Sequence, residues 1–175
     1  PVYFAFRFLE KSLYRKAHRI SATMPFVFRH VAESGGNPER VTWIPNGVNF
    51  DRYRGLEPYD GGKTLPLVAM YVGGFGNAHD VITLVKAAAL LQQRGIGDYR
   101  FVLVGDGVKR QECRREAATH ALSNVEFHDP VPKSEVPRLQ AGADVLIAAV
   151  LDSKAYRFGL NLNKLFDYLA SERPV

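Results

Sequence analysis

The chain has 175 residues, of which 46% are hydrophobic and 23% charged, and its formal net charge is +5. This length suits one ordinary domain, or one domain with a piece of another, and the composition excludes a disordered or collagen-like chain. No apolar run reaches the roughly 18 residues of a membrane span, and the single cysteine, Cys113, excludes a disulfide framework and favours a reducing cytosol.

The excess positive charge lies in the first third of the chain, because residues 1–54 hold 9 Lys or Arg against 4 Asp or Glu. The spacing predicts a helix over 3–18, with cations on neighbouring turns and aromatic side chains between them. This pattern indicates either a basic helix on an anionic membrane surface or a solvated face beside a core face, which is the more common case. Nucleic acid is not expected as a partner, because residues 55–175 are neutral and carry no nucleic-acid motif.

Shorter elements complete the first third. The patterns predict a strand over 19–23, a helix from Pro25 to about Glu33, and a strand over 41–44 that ends at Pro45-Asn46-Gly47. Residues 49–66 are predicted to be a linker, because they mix charges with Asp60-Gly61-Gly62 and Pro66. No secretory signal opens the sequence, and because its first residue is Pro1 we expect an excerpt of a longer protein.

A regular alternation of strands and helices begins after Pro66. Apolar runs predict strands over 67–72, 99–104, 125–128 and 143–150, and helical periods predict helices over 78–94, 108–121, 135–141 and 163–171. Ser134 is expected to cap the third of these helices, residues 151–162 to be irregular, and residues 173–175 to approach one more strand. The alternation predicts a doubly wound, parallel α/β sheet that lacks its last elements.

Ligands of open parallel sheets lie outside the carboxyl ends of the strands, so the loops at those ends form the candidate site. Glycine in such a loop lets backbone N–H groups approach a phosphate, whereas a plain tight turn is the alternative for each loop alone. Neither glycine loop has the spacing of a P-loop or of a dinucleotide fingerprint. The residues concerned are Gly73, Gly74, Gly76 and the neighbouring His79 after the first strand, and Gly105 and Gly107 after the second.

The polar segment after the fourth strand offers cations near a helix N-terminus that could neutralise a diphosphate. Lys164 is the first choice for this role, Arg157 the second and Lys154 the third, with Asn163 at the start of the helix. Asp167, one turn further on, could accept hydrogen bonds from a ribose diol. The alternatives are a solvated surface lysine at Lys164 and an acid that complements the helix dipole at Asp167.

Other chemistry is not favoured. The five histidines show no metal-ligand spacing, so no metal is expected. Cys113 falls on a charged helix with no evident base, and no nucleophile-elbow motif is present.

Four segments resemble motifs of retaining GT-B glycosyltransferases of family 4. Val41–Val48 is similar to their hinge, Tyr71–Gly74 and Leu103–Gly107 to two strand ends of their second domain, and Asn163–Val175 to their donor-site helix. This version of the helix is typical of bacterial capsule, O-antigen and exopolysaccharide transferases. The likeness covers nearly the whole chain, and the order and spacing of the motifs are more specific than each motif alone.

The resemblance implies two Rossmann-like domains, with a nucleotide-diphospho-sugar bound mainly by the second. Residues 1–48 would be the tail of the acceptor-side domain and 67–175 the donor-binding domain, truncated at its C-terminal end. It also implies sugar transfer with retained anomeric configuration, usually without a metal or other cofactor, in polysaccharide or glycolipid biosynthesis. The backbone of Pro130 and Val131 would line the nucleobase pocket. A saccharide or lipid-linked acceptor would bind the domain that is mostly missing, so we expect this fragment alone to be inactive.

The sequence departs from the family pattern at three places. Gly74 and approximately His79 stand where members often carry an Arg and a Lys for the diphosphate. Asp167 matches the second acid of the Glu-x7-Glu pair, but no Glu stands at the first position, near Phe158-Gly159. These departures leave the catalytic residue unassigned and keep open an alternative, a non-catalytic nucleotide-sugar-binding or regulatory module on the same fold. In either case we expect a cytoplasmic protein, and the membrane-surface alternative for the first helix would make it peripheral at the inner face of the membrane.

Overall fold

The computed structural model describes residues 2–61 and 65–175. The chain divides into two compact units, Pro1–Gly47 with Asp152–Asn163, and Val48–Leu151 with Lys164–Val175. The predicted linker extends over residues 62–64 and the predicted acceptor-side segment begins at Pro1; these positions lie outside the described residues. The first part of the predicted linker contains a short 3₁₀ helix, Phe50–Tyr53, whose residues belong to the second unit.

The first unit is built from two helices and two short strands. These are α1 (Val2–Lys16), β1 (Ile20–Ala22), α2 (Val27–Glu33) and β2 (Val41–Trp43), with 3₁₀ turns at Pro38–Arg40 and Lys154–Phe158. The strands β1 and β2 pair in parallel. No residue of α1 is buried.

The first helix uses only one of its faces within this unit. Glu10 lies 2.8 Å from His30 of α2, and the Tyr14 ring packs edge-on against the same imidazole. A neighbouring apolar stripe of α1 is more than half exposed; it consists of Val2, Phe6, Leu9 and Leu13. Apolar surface is therefore present at helical spacing without being covered by the described part of the first unit.

The second unit is a four-stranded parallel sheet with helices on both faces. Its elements are β3 (Leu67–Val72), α3 (Val81–Gln93), β4 (Tyr99–Val104), α4 (Arg110–Thr119), β5 (Val125–His128), α5 (Val136–Gln140), β6 (Val145–Leu146) and α6 (Asn163–Ala170), which begins at the last residue of the first unit. The strand order is β5-β4-β3-β6. Leu146 N–H donates to the carbonyl of Pro174, so the C-terminal residues begin to run beside β6. The predicted doubly wound α/β fold is confirmed.

Successive strand residues enter two separate cores. Tyr71 and Leu103 pack with α3 and α4 on one face of the sheet, whereas Met70 and Val102 pack with Tyr168 of α6 on the other. Burial on both faces explains why the strands are continuous apolar runs rather than alternating ones. Cys113 lies in the first of these cores, and burial raises the pKa of its thiol to about 11, which suits a structural rather than a nucleophilic cysteine.

Three local predictions are wrong. The fourth strand of this sheet is limited to Val145–Leu146 instead of 143–150, because only Ala69 and Met70 face it in the ladder. Ser134 does not cap α5; Glu135 occupies the N-cap position without a side-chain hydrogen bond. The segment 151–162 is not wholly irregular, since Lys154–Phe158 forms a 3₁₀ helix.

Candidate functional site

A cavity of about 310 Å³ opens at the carboxyl ends of β3 and β4, where the topology of a parallel sheet places ligands. The loops after β3, β4 and β5 converge there, so the structure brings together both glycine loops and the Pro130-Val131 segment. Its walls are mostly valine, proline and glycine, with one carboxylate; the lining residues are Val72, Gly73, Gly74, Val104, Gly105, Asp106, Pro130, Val131 and Val136.

The two glycine loops interlock through their backbones. Gly73 N–H donates to the carbonyl of Val104, and Phe75 N–H donates to that of Asp106 at 2.8 Å. Gly105 has φ +139°, and a Cβ there would overlap the Gly73 carbonyl oxygen. Close loop packing, and not only phosphate contact, therefore requires glycine at this position.

The interlocking leaves two amides of the first loop available. Within the described part of the chain, the N–H groups of Gly74 and Gly76 donate no hydrogen bond, in contrast to those of Gly73 and Phe75. Both free amides belong to a strand-to-helix loop, where backbone N–H groups can bind an anion.

Lys164 is the cation that the fold places beside this loop. Its Nζ donates to the Tyr71 hydroxyl at 2.7 Å and lies 4.1 Å from the centre of the Tyr71 ring. A Cβ on Gly73 would come within 2.8 Å of the same Nζ, so the absence of a side chain at Gly73 gives the lysine its room. Burial lowers the pKa of Lys164 to about 8, and no carboxylate of the described residues forms an ion pair with it.

His79 lies next to the same loop. Its Nδ1 is buried without a hydrogen-bond partner among the described residues, and a Cβ on Gly76 would lie 3.3 Å from it. Burial, and secondly the charge of Lys164, lower the pKa of His79 below its usual 6.5. The imidazole is therefore neutral at pH 7 in the free protein, and Lys164 is the positive charge at this loop.

Asp167 is engaged by a residue that the sequence placed in the linker. The Tyr53 hydroxyl donates to Asp167 Oδ1 at 3.1 Å and lies 3.4 Å from Gln140 Oε1. Burial first, and the Asp167 carboxylate second, raise the pKa of Tyr53, so the phenol stays protonated and donates. One carboxylate oxygen of Asp167 is thereby held by the protein itself.

The other cations predicted for the site, Arg157 and Lys154, belong to the first unit. Arg157 forms an ion pair with Glu33 at 2.6 Å and stacks on Phe158. Asn163 accepts a hydrogen bond from the Asn46 side chain. Lys154 and Arg157 line a separate cavity of about 740 Å³ within that unit, together with Arg7 and the Glu10–His30 pair. These contacts of Arg157 and Asn163 lie within the first unit.

Two residues that contribute to the candidate site, Tyr71 and Tyr53, were not predicted from the sequence. Tyr71 was counted only as an apolar strand residue, although its hydroxyl also donates to the Gly74 carbonyl at 2.7 Å. Tyr53 stands in a stretch without helical or strand period. A tyrosine two residues before a glycine turn was the one available signal for Tyr71, and none was available for Tyr53.

Comparison with known families assigns the class of protein. Residues 66–175 match the family described as glycosyl transferases group 1, and the chain belongs to this family. The predicted relationship to GT-B glycosyltransferases is confirmed at this level. No curated protein matches the chain.

Solved structures of glycosyltransferases share the fold at low identity. Anabaena HepE in complex with UDP and glucose is 16% identical to this chain, with a TM-score of 0.72 over 98% of it. A glycosyltransferase from Rickettsia africae is 18% identical, with a TM-score of 0.70 over 97% of the chain. WaaG, a glycosyltransferase involved in lipopolysaccharide biosynthesis, is 20% identical, with a TM-score of 0.67 over 90% of the chain. The chain covers only 47%, 46% and 43% of these proteins. The likeness therefore establishes the GT-B fold, while the activity of a whole protein is a matter for proposal.

Residues 2–61 and 65–175 contain neither a membrane-spanning helix nor a candidate metal site. None of their helices is long and apolar enough to cross a bilayer. They also contain no group of three His, Cys, Asp or Glu residues that could hold a metal ion.

Proposed function

We propose that this chain forms the donor-binding part of a retaining glycosyltransferase that uses a nucleotide-diphospho-sugar in polysaccharide or glycolipid biosynthesis. The observation that carries the proposal is the position of the Lys164 ammonium beside Gly73, a residue that lines the largely apolar cavity. A nucleoside diphosphate has a flat base that suits such walls and an anionic diphosphate that needs a cation. Binding of UDP by HepE makes uridine diphosphate the first ligand to try.

In this proposal the protein acts on the leaving group. As the bond between the anomeric carbon and the diphosphate oxygen breaks, negative charge grows on the diphosphate. The Lys164 ammonium and the free amides of Gly74 and Gly76 stabilise that charge, and such preorganised electrostatics is usually the largest catalytic term. Asp167 would accept hydrogen bonds from the ribose, and the backbone of Pro130 and Val131 would contact the base. No metal or other cofactor is proposed, and no residue is assigned the role of the missing first acid.

The domain assignment follows the same scheme. Residues 1–48 would complete an acceptor-side domain, residues 49–66 link it to the donor domain, and residues 67–175 bind the donor. The acceptor, a saccharide or a lipid-linked sugar, would bind largely through residues beyond this chain.

Titration of nucleoside diphosphates tests the donor site. We expect Lys164→Ala to weaken binding by roughly 1.5–3 kcal/mol, the range for a hydrogen bond to a charged group. Lys86→Ala is the matched control, since Lys86 is an exposed lysine of α3. The measurement is isothermal titration with UDP, GDP and dTDP at pH 7. Equal affinity in Lys164→Ala and the unsubstituted protein would show that the diphosphate does not lie at this loop.

A turnover assay separates the enzyme from the alternative, a non-catalytic binding module. A full-length protein containing this chain should transfer sugar to an acceptor from a diphospho-sugar of the nucleoside that binds best, with the nucleoside diphosphate as leaving group. Donor binding without transfer to any saccharide or lipid-linked acceptor would favour the binding module. The missing first acid of the Glu-x7-Glu pair would then be explained by the absence of catalysis.

We also propose a cytoplasmic location with contact to the inner face of the membrane through α1. The exposed apolar stripe of α1 supports this, although Arg15 lies against Gly35 and is not wholly available to lipid. Binding to anionic vesicles should weaken with salt, and further in the triple Gln variant of Arg7, Lys11 and Arg15. Vesicle binding that ignores both changes would leave the basic residues as a solvated face.

A further inference from the structure

The hydroxyl of Tyr71 joins two groups of the candidate donor site. It donates to the Gly74 carbonyl at 2.7 Å and accepts from Lys164 Nζ at 2.7 Å. A phenol has one hydrogen to give, so these two bonds fix its orientation and use it as a link between the loop after β3 and helix α6.

The link is rigid on the tyrosine side. Tyr71 is fully buried, and its ring packs edge-on against Phe75 of the same loop. Burial is the main cause that raises the pKa of Tyr71, so the phenol is neutral over the physiological range and keeps donating to Gly74. Lys164, by contrast, has a flexible stem, and its ammonium contacts the hydroxyl and the ring of Tyr71.

We propose that Tyr71 is the positioning residue of the donor site: it holds the Lys164 ammonium beside the Gly74 loop, so that a diphosphate meets the cation and the free amides in one arrangement. The inference rests on the proposed function for its ligand, but the contacts themselves are independent of it. Two N–H donors of the ammonium remain for the ligand after one is given to Tyr71.

The groups around Lys164 determine how its protonation depends on pH. His79 faces it from the loop before α3, Tyr168 and Asp167 lie on its own helix, and Cys113 of α4 faces Tyr71 from the other side. Because no carboxylate within residues 2–61 and 65–175 forms an ion pair with the ammonium, the Tyr71 oxygen is its principal fixed acceptor. Removing that oxygen disfavours the charged form, so Tyr71→Phe should lower the pKa of Lys164 further below 8.

Tyr71→Phe is the main test, with Tyr99→Phe as its matched control. Tyr99 is also a buried strand tyrosine and donates to the Ala88 carbonyl at 2.8 Å, but it has no contact with Lys164. We expect UDP binding at pH 7 to be about tenfold weaker in Tyr71→Phe and unchanged in Tyr99→Phe, the loss corresponding to one hydrogen bond. Affinity should also begin to fall at a lower pH in Tyr71→Phe than in the unsubstituted protein.

The titration of Lys164 in the ligand-free protein provides a readout that does not depend on donor binding. The lysine ¹³Cε signals can be followed by NMR between pH 6 and 11, with the Lys164 signal assigned by its loss in Lys164→Met. A midpoint near 8 that moves down in Tyr71→Phe, but not in Tyr99→Phe, supports the proposal. A midpoint that does not move in Tyr71→Phe, or a UDP affinity equal to that of the unsubstituted protein, overturns it.

A second substitution, Gly73→Ala, disturbs the contact between Lys164 and Tyr71 from the glycine loop. The new methyl group would displace the end of the Lys164 side chain, which can move at little cost to the fold. Donor affinity should fall about as far as in Tyr71→Phe, and the two substitutions together should cost less than the sum of both, because they disrupt one contact. If the unsubstituted protein binds no nucleoside diphosphate, the proposed function fails; if it binds UDP and Tyr71→Phe binds equally well, only the role of Tyr71 fails.

Discussion

The two compact units differ in how much apolar surface they cover for themselves. In the second unit, α3 buries five of its residues and the sheet has a core on each face. In the first unit, α1 is longer and has apolar residues at helical spacing, yet it buries none of them. Periodicity therefore predicts that a segment is helical, whereas burial depends on a partner surface. The family match, residues 66–175, falls on the unit that has its own core.

The largest expected effect on stability comes from comparing Leu→Ala substitutions in the two units. Leu103 is fully buried in β4, while Leu13 of α1 is 59% exposed. Leu103→Ala should lower the free energy of unfolding by about 2–5 kcal/mol, because it removes buried methyl groups and leaves a cavity. Leu13→Ala should change it by no more than about 0.5 kcal/mol. Urea unfolding measures both, and equal losses would mean that α1 is covered in solution.

A smaller effect is expected where the glycine loops interlock. Gly105→Ala should cost about 1–3 kcal/mol, since it strains a positive φ and overlaps the Gly73 carbonyl. Gly97→Ala is the control, because a Cβ there meets nothing within 4 Å. The comparison is made by thermal unfolding. A neutral Gly105→Ala would show that the two loops are not packed as described.

The partly buried Lys164 ammonium should lower the free energy of unfolding, although it helps to bind the donor. Its pKa is about 8 in the folded protein against 10.5 when unfolded, so between these values the unfolded state binds more protons and stability rises with pH. Lys164→Met should lack this rise and be more stable at pH 7 by about 1 kcal/mol, or roughly 2–4 °C, after allowance for the partial exposure of the lysine. Melting temperatures at pH 7 and 9.5 test both points. Parallel pH dependence in the two proteins would contradict the buried ammonium.

The smallest effect is expected at His79. Because its pKa is lowered, the ring is neutral at pH 8, and His79→Gln should change UDP affinity there by no more than about twofold. Below pH 6 a bound diphosphate would favour the imidazolium, so the loss should grow as the pH falls. Titration calorimetry at pH 5.5 and 8 distinguishes the two cases. A large loss at pH 8 would instead indicate a hydrogen bond from the neutral ring.

The sequence by itself determined the elements and the edge of the sheet that carries the site. Continuous apolar runs, a period of 3.6 residues and glycine turns are local signals, so the strands at 67–72 and 99–104 and both glycine loops were predicted where the structure has them. The weaker predictions concern segments that lack such a period, such as the 3₁₀ helix at Lys154–Phe158 and the short β6.

Only the tertiary structure decided which side chains meet. Tyr71 and Lys164 are 93 residues apart in the chain, Tyr53 and Asp167 are 114 apart, and Arg157 and Glu33 are 124 apart. The first of these pairs depends on strand order: β6 pairs with β3 and not with β5, so the helix that follows β6 returns to the end of β3. Local sequence patterns do not specify that order, because pairing between strands is set by long-range burial. Lys164 therefore lies beside the Gly73 loop, while Arg157, seven residues earlier, has its ion pair in the first unit.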